Sequence, residues 1–252
     1  MKIVTLSNQK GGVGKTTTSH ALATGLVKRN YKVLAVDLDP QGNFSLTCGV
    51  DMANINCTLY NVFKGTAKVT DAIITINDKL DLLTGGLVLA AADMEFTQAG
   101  REFMLKEALE PIKNNYDFII IDTPPTLSTL TTNALTTSNS VIIPMTADIY
   151  ALQGISQLNG LISNVRKYCN NDLEIDGLLL TRYSDRTNIS KTLKNTIVDA
   201  AKELNTKLYN ASIREAVAVR ETQLLQSNLF EAYNKADVTA DYNLFIDEFL
   251  GK

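Results

Sequence analysis

Lysines and glycines stand close together near the start of the chain, in an arrangement that can hold phosphate groups. Residues 10–17 read KGGVGKTT and follow an apolar run at residues 2–7. The glycines let the backbone approach an anion and aim its N–H groups at it. Lys15 can supply a positive charge beside terminal phosphates, and the Thr16 hydroxyl can bind Mg²⁺. A helix beginning here also presents its positive N-terminal end to the same anion.

The strict phosphate-loop pattern, G-x-x-x-x-G-K-[ST], is incomplete, because Gln9 stands where the first glycine belongs. A glycine-rich turn with incidental lysines is the alternative interpretation. The strand pattern before the loop, the helical pattern after it and the Lys15-Thr16 ending favour phosphate binding. We therefore predict a nucleotide-binding loop of these residues: Lys10, Gly11, Gly12, Val13, Gly14, Lys15, Thr16 and Thr17.

Aspartates end two other apolar runs. Asp37 and Asp39 follow one run, and Asp122 follows another. Ligands bind at the carboxyl ends of strands in parallel sheets. Acidic groups there can hold the hydration shell of Mg²⁺ or position a water for attack on a phosphate. A single aspartate at a strand end can equally well cap a turn. Three of them at two strand ends, in a chain with a phosphate loop, favour the functional interpretation.

Apolar runs alternate with amphipathic stretches along the whole chain. This alternation predicts an α/β fold of the P-loop NTPase class, with a doubly wound, mostly parallel β-sheet flanked by helices. We expect a single domain over residues 1–252 and no N-terminal helix-turn-helix module. The predicted strands are 2–7, 32–37, 79–84, 118–122, 140–146 and 175–181, and the predicted helices are 15–29, 100–114, 151–168 and 188–205.

Composition narrows the possible functions. The chain has 252 residues, a formal charge of −3 and 20% charged residues, so as a whole it is not a basic nucleic-acid binder. His20 is the single histidine, which excludes a three-histidine metal site, and its apolar neighbours favour a structural role. Three widely spaced cysteines with no CxxC pair favour free thiols in a reducing cytoplasm. No apolar stretch approaches the roughly 18 residues of a membrane span.

The loop at residues 10–17, which contains the two lysines Lys10 and Lys15, resembles the deviant Walker A loop of the ParA/MinD ATPases. This resemblance implies ATP and Mg²⁺ as ligands. It also implies that Lys10 reaches across an ATP-bound sandwich homodimer to the partner's phosphates. Lys15 would then bind the phosphates of its own subunit.

Two further strings resemble motifs of the same family. Residues 37–41 (DLDPQ) are similar to its switch I, and residues 122–125 (DTPP) to its Walker B and switch II. The resemblance assigns Asp39 to orientation of the attacking water. It places Asp37 beside the Mg²⁺ shell, and Asp122 would hold Mg²⁺ through water. Because no strong base is evident, we expect slow basal turnover that a partner raises.

Other segments favour the ParA/Soj branch, which comprises partition ATPases. Residues 85–95, 141–158 and 185–187 are similar to segments of those proteins. The resemblance implies an ATP-bound dimer that binds nonspecific DNA, and a ParB-type centromere-binding partner that stimulates hydrolysis. It also implies a cytoplasmic protein that associates with the nucleoid when ATP is bound.

Residues 182–214 carry the basic charge that DNA binding would need. They include seven lysines and arginines against three acids, a net charge of about +4. An ordinary solvated helix face is the alternative interpretation. Within the family's D-x-R-T turn, Arg186 resembles a DNA contact, whereas the family's I-P-x-x-V-R string has no match here. The candidate DNA-binding residues are Arg186, Lys191, Lys194, Arg214 and Arg220.

The sequence does not exclude two other functions. A MinD-like positioning or regulatory ATPase would act on a different cargo or on a membrane. Residues 241–252 carry an apolar stripe that includes Leu244, Phe245 and Phe249, but their polar residues are mostly acidic. We therefore predict a helix that packs on the core and no stable membrane association. A small-molecule ligase or synthetase would need a substrate pocket, for which we find no motif.

Overall fold

A computed structural model describes residues 1–148, 151–184 and 188–252, and for residues 151, 152 and 188–191 it describes helical backbone only. Eight strands in these ranges form one sheet. They are β1 Lys2–Leu6, β2 Val33–Asp37, β3 Ile73–Asn77, β4 Leu80–Thr84, β5 Phe118–Asp122, β6 Ser140–Met145, β7 Glu174–Thr181 and β8 Leu208–Ile213.

The strand order is β3-β4-β2-β5-β1-β6-β7-β8, and each neighbouring pair is parallel except β3 with β4. The phosphate loop therefore leaves the sheet near its middle. The helices in the described ranges are α1 Lys15–Lys28, α2 Asn43–Thr47, α3 Leu59–Phe63, α4 Ala92–Glu95, α5 Met104–Leu109, α6 Thr129–Thr137, α7 Ala151–Tyr168, α8 Asn188–Glu203, α9 Val217–Leu224, α10 Leu229–Ala232 and α11 Asp237–Phe249.

Helices cover both faces of the sheet. On β2, Val33 and Ala35 pack into a cluster with residues of α1 and α11. Leu34 and Val36 point to the opposite face and pack with residues of α5 and α6. A third cluster joins β6 and β7 to α7 and α8. Because strands buried on both faces need apolar residues at every position, the continuous apolar runs of the sequence correspond to these strands. The predicted α/β fold is confirmed.

Three features differ from the sequence-based prediction. A continuous helix over 100–114 is wrong, because short 3-10 helices at Arg101–Phe103 and Lys113–Asn115 flank α5. Pro111 lacks the N–H that a helix interior needs. Strands β3 and β8 were not predicted, since both lie at edges of the sheet and carry polar residues. The core-packing C-terminal helix is confirmed for Phe245 and Phe249, but Leu244 is exposed.

Candidate nucleotide-binding site

The loop between β1 and α1 has the backbone shape that an anion site requires. Gly12 and Gly14 have φ angles of 73° and 78°, in the left-handed region that favours glycine. Gly14 directly precedes α1, and its carbonyl accepts the N–H of Thr18 at 2.9 Å. The N-terminus of α1 therefore lies against the loop and adds its partial positive charge to the site.

Lys15 lies over this loop. Its side chain is largely buried, and its Nζ donates to the backbone carbonyl of Lys10 at 3.4 Å. Burial lowers the pKa of Lys15, while the neighbouring carboxylates of Asp122 and Asp39 act in the opposite direction. A phosphate anion beside Nζ would favour the charged form further.

Thr16 connects the loop to a pair of buried carboxylates. Its hydroxyl donates to Asp122 Oδ2 at 2.6 Å, and Ser19 donates to Asp122 Oδ1 at 2.8 Å. Asp122 and Asp37 lie opposite each other in the β2–β5 register. Burial, with the charge of Asp37, raises the pKa of Asp122 to about 7, and burial raises that of Asp37 to about 6. A divalent cation would offset the cost of both charges, so this set of oxygen donors fits Mg²⁺.

The two aspartates at the end of β2, Asp37 and Asp39, have different surroundings. Asp37 accepts hydrogen bonds from the backbone N–H and the hydroxyl of Ser45, at 2.8 and 2.7 Å. Asp39 accepts the N–H of Gln41 at 3.0 Å and lines the cavity beside the phosphate loop. Asp37 is therefore held inward beside Asp122, whereas Asp39 faces the cavity.

The loop borders a cavity of about 550 Å³, within the usual range for small-molecule sites. Most of the predicted loop residues and Asp39 line it, whereas Lys10 and the buried Val13 do not. The opposite wall comes from β8, α9 and α11, which the sequence did not assign to the site. That wall contains Ile213, Ala216, Val219, Gln223 and Tyr242.

Thr181 and Arg182, at the end of β7, hold the phosphate loop from the side. The Thr181 hydroxyl lies 2.8 Å from the carbonyl oxygen of Val13 and 3.1 Å from that of Met145. Arg182 Nη1 donates to the carbonyl oxygen of Gly12 at 3.2 Å. The apolar run at residues 175–181 ends at Thr181, and a hydroxyl at the carboxyl end of a strand is the sequence signal for this role.

We expect Thr181→Val to weaken nucleotide binding about fivefold to tenfold. Loss of a buried hydrogen bond costs about 1 kcal/mol or slightly more, and it would leave the loop less well ordered before the ligand arrives. Equilibrium titration with a fluorescent ATP analogue measures the effect. Thr75→Val, on exposed edge strand β3, is the matched control. Equal affinities for the two variants would show that Thr181 does not position the loop.

Lys10 does not point into the cavity of its own chain. Its Nζ contacts the carboxylate of Asp148 and lies 3.4 Å from the hydroxyl of Thr146. Its backbone N–H donates to Asn8 Oδ1 at 3.0 Å. The first lysine of the loop therefore differs from Lys15, because an ion pair beyond the end of β6 holds its charge.

The candidate DNA-binding residues do not form one described surface. Arg186 and the side chain of Lys191 lie outside the described residues. Lys194 Nζ lies 5.6 Å from the centre of the Tyr183 ring.

Arg214 and Arg220, two more of these candidates, line the nucleotide cavity instead. Arg214 also forms ion pairs with Asp241 at 2.7 Å and with Asp237 at 2.6 Å. A DNA phosphate would have to compete with these carboxylates for Arg214. Its role in DNA binding stays a prediction.

Comparisons with known proteins identify relatives of this chain in sequence and in fold. A family model described as an AAA domain matches residues 1–175. The sporulation initiation inhibitor protein Soj of Bacillus subtilis (strain 168) is 43% identical over 222 residues, covering 87% of each chain. A putative plasmid partition protein of Borrelia burgdorferi B31 bound to AMPPNP has a TM-score of 0.83 at 28% identity, covering 99% of this chain and 98% of that one. Cobyrinic acid a,c-diamide synthase of Mycobacterium smegmatis with bound ADP and magnesium has a TM-score of 0.85 at 31% identity, covering 99% and 94%.

Proposed function

This chain belongs to the Soj and ParA family of chromosome-partitioning proteins, and we propose that it is an ATP-dependent DNA-segregation ATPase. The observation that carries the proposal is the different placement of the two lysines in the phosphate loop. Lys15 lies over the loop of its own chain, while Lys10 lies outside its own cavity. Such an arrangement suits a protein whose phosphate site is completed by a second subunit.

ATP would bind with its triphosphate on the loop and its base toward the wall of β8 and α9. Lys15 and the N-terminus of α1 neutralise phosphate charge. The Thr16 hydroxyl would bind Mg²⁺ and Asp122 would do so through water, which is supported by the hydrogen bond between the two side chains. When bound, the ion neutralises charge on the β- and γ-phosphates. Structures of two similar proteins hold AMPPNP, or ADP with magnesium, which supports this choice of ligands.

Hydrolysis would depend on the positioning of the attacking water more than on abstraction of its proton. Asp39 is the carboxylate that lines the cavity beside the phosphate loop, where it can orient a water in line with the γ-phosphate, whereas Glu215 lies next to Arg214 at the opposite wall. Asp37 is engaged by Ser45 and shapes the metal side of the site. Since the described lining of the cavity offers only carboxylates and the phosphate-binding Lys15 as bases, we expect slow basal turnover that a partner raises.

Formation of the dimer would move Lys10 from Asp148 to the phosphates of the second subunit. We expect Lys10→Ala to bind ATP with nearly unchanged affinity but to lose ATP-dependent dimerisation. The reason is that Lys10 donates no side-chain contact to its own cavity but would neutralise phosphate charge across the interface. Light scattering coupled to size-exclusion chromatography, with ATP and with ADP, measures this. Lys106→Ala, at an exposed lysine of α5, is the control. An ATP-dependent dimer of Lys10→Ala would disprove the role in trans.

The proposed binding to DNA rests on kinship with the family and on local charge. The basic stretch at residues 182–214 would contact the phosphate backbone of nonspecific DNA, twice in a dimer, and a ParB-type centromere-binding partner would stimulate hydrolysis and release the DNA. A gel-shift assay on nonspecific DNA, with ATP, ADP or no nucleotide at two salt concentrations, tests this. We expect binding that requires ATP and weakens as salt increases. Binding to liposomes with none to DNA would instead support a MinD-like positioning ATPase, in which a membrane is the target.

A small-molecule synthetase is the second candidate, because the structural match to cobyrinic acid a,c-diamide synthase covers nearly the whole chain. A synthetase would consume ATP only when its substrate is present. A partition ATPase would hydrolyse ATP with DNA and its protein partner alone. Measurement of phosphate release with DNA and the partner, in the absence of any small-molecule acceptor, separates the two.

A further inference from the structure

The guanidinium group of Arg182 lies between the phosphate loop and the far wall of the nucleotide cavity. Arg182 directly follows β7 and lines the cavity. Its Nη1 donates to the carbonyl oxygen of Gly12 at 3.2 Å, and its Nη2 lies 3.8 Å from Oε1 of Glu215, beyond the end of β8. The side chains of Arg182 and Glu215 are 53% and 61% exposed, so this ion pair is weak and leaves the guanidinium group open to a ligand.

The backbone of Arg182 has a conformation that arginine rarely adopts. Its φ angle is 50°, in the left-handed region where a side chain is strained. Both neighbours fix this conformation. The hydroxyl of Thr181 lies 2.8 Å from the carbonyl oxygen of Val13, and the N–H of Tyr183 donates to the carbonyl oxygen of Ile213 at 3.0 Å. Because such strain is concentrated where ligands bind, Arg182 is a candidate ligand contact.

The order of the strands indicates which part of a nucleotide would lie near Arg182. Strand β1, which leads into the phosphate loop, has β5 and β2 on one side and β6, β7 and β8 on the other. The paired carboxylates of Asp37 and Asp122 end β2 and β5, so the metal and the terminal phosphates would lie on that side. The nucleoside would then lie toward the carboxyl ends of β7 and β8.

Two different kinds of surface are present at that end of the cavity. Ala216 and Val219, at the start of α9, supply apolar atoms, and Arg182 supplies a cationic side chain from the end of β7. A guanidinium group is planar and stacks on aromatic rings by cation–π attraction, while its stem covers apolar surface. A flat aromatic ring between these surfaces would therefore have a favourable contact on both faces.

The other two arginines that line the described part of the cavity are less suited to this contact. Arg214 forms ion pairs with Asp237 and Asp241 of α11 at 2.6 and 2.7 Å, so two carboxylates already hold its guanidinium group. Arg220 directly follows Val219 on α9 and belongs to the wall that this helix forms. Arg182 is thus the arginine that can cover the ring from the side of β7.

We propose that Arg182 is a specificity-determining residue, whose side chain packs on the base of the bound nucleotide while it holds Gly12 of the phosphate loop. This inference rests on the proposed function for the choice of ATP as the ligand, and it names the residue that recognises the nucleoside. Because one side chain contacts both the base and the loop, binding of the base orders the loop that receives the phosphates. The charge of Arg182 then serves the nucleotide site and not the DNA backbone.

Titration of the full chain with two ligands separates the contribution of the base from that of the phosphates. ATP with Mg²⁺ contains both parts, whereas inorganic tripolyphosphate with Mg²⁺ contains the phosphates alone. The ratio of the two affinities therefore measures what the nucleoside contributes. In Arg182→Ala we expect this ratio to fall about tenfold, because the stacked cation and its stem are both lost. In Arg182→Met, which keeps an unbranched apolar stem, the ratio should stay within about threefold of the wild type.

Two further variants are the controls. Arg101→Ala removes an arginine whose Nη1 donates to the carbonyl oxygen of Phe96 at 3.2 Å, and neither residue lines the nucleotide cavity. It should bind both ligands as the wild type does. Lys15→Ala removes a phosphate contact, so it should weaken the binding of both ligands to a similar extent.

Each outcome decides one part of the proposal. Equal losses of affinity for the two ligands in Arg182→Ala would show that Arg182 only tethers the loop, which overturns the contact with the base. A ratio that falls as far in Arg182→Met would overturn the packing of the stem. If the wild type binds ATP no more tightly than tripolyphosphate, the nucleoside is not recognised and the inference is wrong. The proposed function fails separately, if the wild type binds ATP but neither dimerises nor binds DNA in its presence.

Discussion

Lys15→Ala should reduce ATP affinity by roughly 30- to 150-fold and abolish every nucleotide-dependent behaviour of the protein. Lys15 is the described lysine that lies over the phosphate loop, with its Nζ 3.4 Å from the carbonyl oxygen of Lys10. Charge-assisted hydrogen bonds contribute about 2–3 kcal/mol, and this free energy corresponds to the expected loss of affinity. Isothermal titration with ATP and Mg²⁺ measures it directly.

The structure also indicates what Lys15→Ala should do without nucleotide. Burial lowers the pKa of Lys15, so its ammonium group is held at a cost that the nearby carboxylates only partly offset. We therefore expect the apo variant to be folded and no less stable than the wild type, with a far-ultraviolet spectrum that is unchanged. Lys68→Ala, at an exposed lysine, controls for the loss of a positive charge. ATP binding by Lys15→Ala close to the wild-type level would remove the basis for the phosphate-loop assignment.

Asp39→Ala should bind ATP and dimerise, but its rate of ATP hydrolysis should fall by about 100-fold or more. Asp39 lines the cavity beside the loop, and its neighbour Asp37 is already engaged by Ser45. Removal of the group that positions the attacking water costs about 100-fold or more in turnover, while contacts to the phosphates remain. Single-turnover hydrolysis and the lifetime of the ATP-bound dimer are the two measurements.

The lifetime of the dimer distinguishes this role from a structural one. If Asp39 only shaped the loop after β2, Asp39→Ala would lose ATP affinity and dimerisation along with turnover. If it orients water, the dimer persists and DNA stays bound for longer. Asp78→Ala, in the exposed turn between β3 and β4, is the control for removal of an acidic side chain. Rapid turnover in Asp39→Ala would contradict the assignment.

Much of the fold could be predicted because its main signals are local. Strands β1, β2 and β5 are continuous apolar runs, as expected for strands buried on both faces. The edge strands were missed, because β3 exposes Thr75 and Asn77 and β8 carries the polar residues Asn210 and Ser212. Edge strands are selected by their pairing with a neighbour more than by their own composition.

The candidate site likewise has one part that the sequence predicts and another part that it does not. The glycines, Lys15 and Thr16 are consecutive residues, so one short string contains them all. The wall formed by β8 and α9 has no comparable string, and the family's I-P-x-x-V-R pattern is absent there. Arg214 and Arg220 line the cavity at that wall, and their role in DNA binding stays a prediction.

The sequence by itself determined the phosphate loop, the carboxylates at the ends of two strands and the alternation that folds them into one sheet. These features depend on neighbouring residues and on the period of the apolar pattern. Tertiary structure decided that Thr181 would hold Val13 from 168 positions away, that Lys10 would contact Asp148 rather than its own cavity, and that Arg182 would connect the phosphate loop to Glu215. The reason is physical, because contacts between distant segments depend on which strands become neighbours, and that choice is made by the packing of the whole sheet.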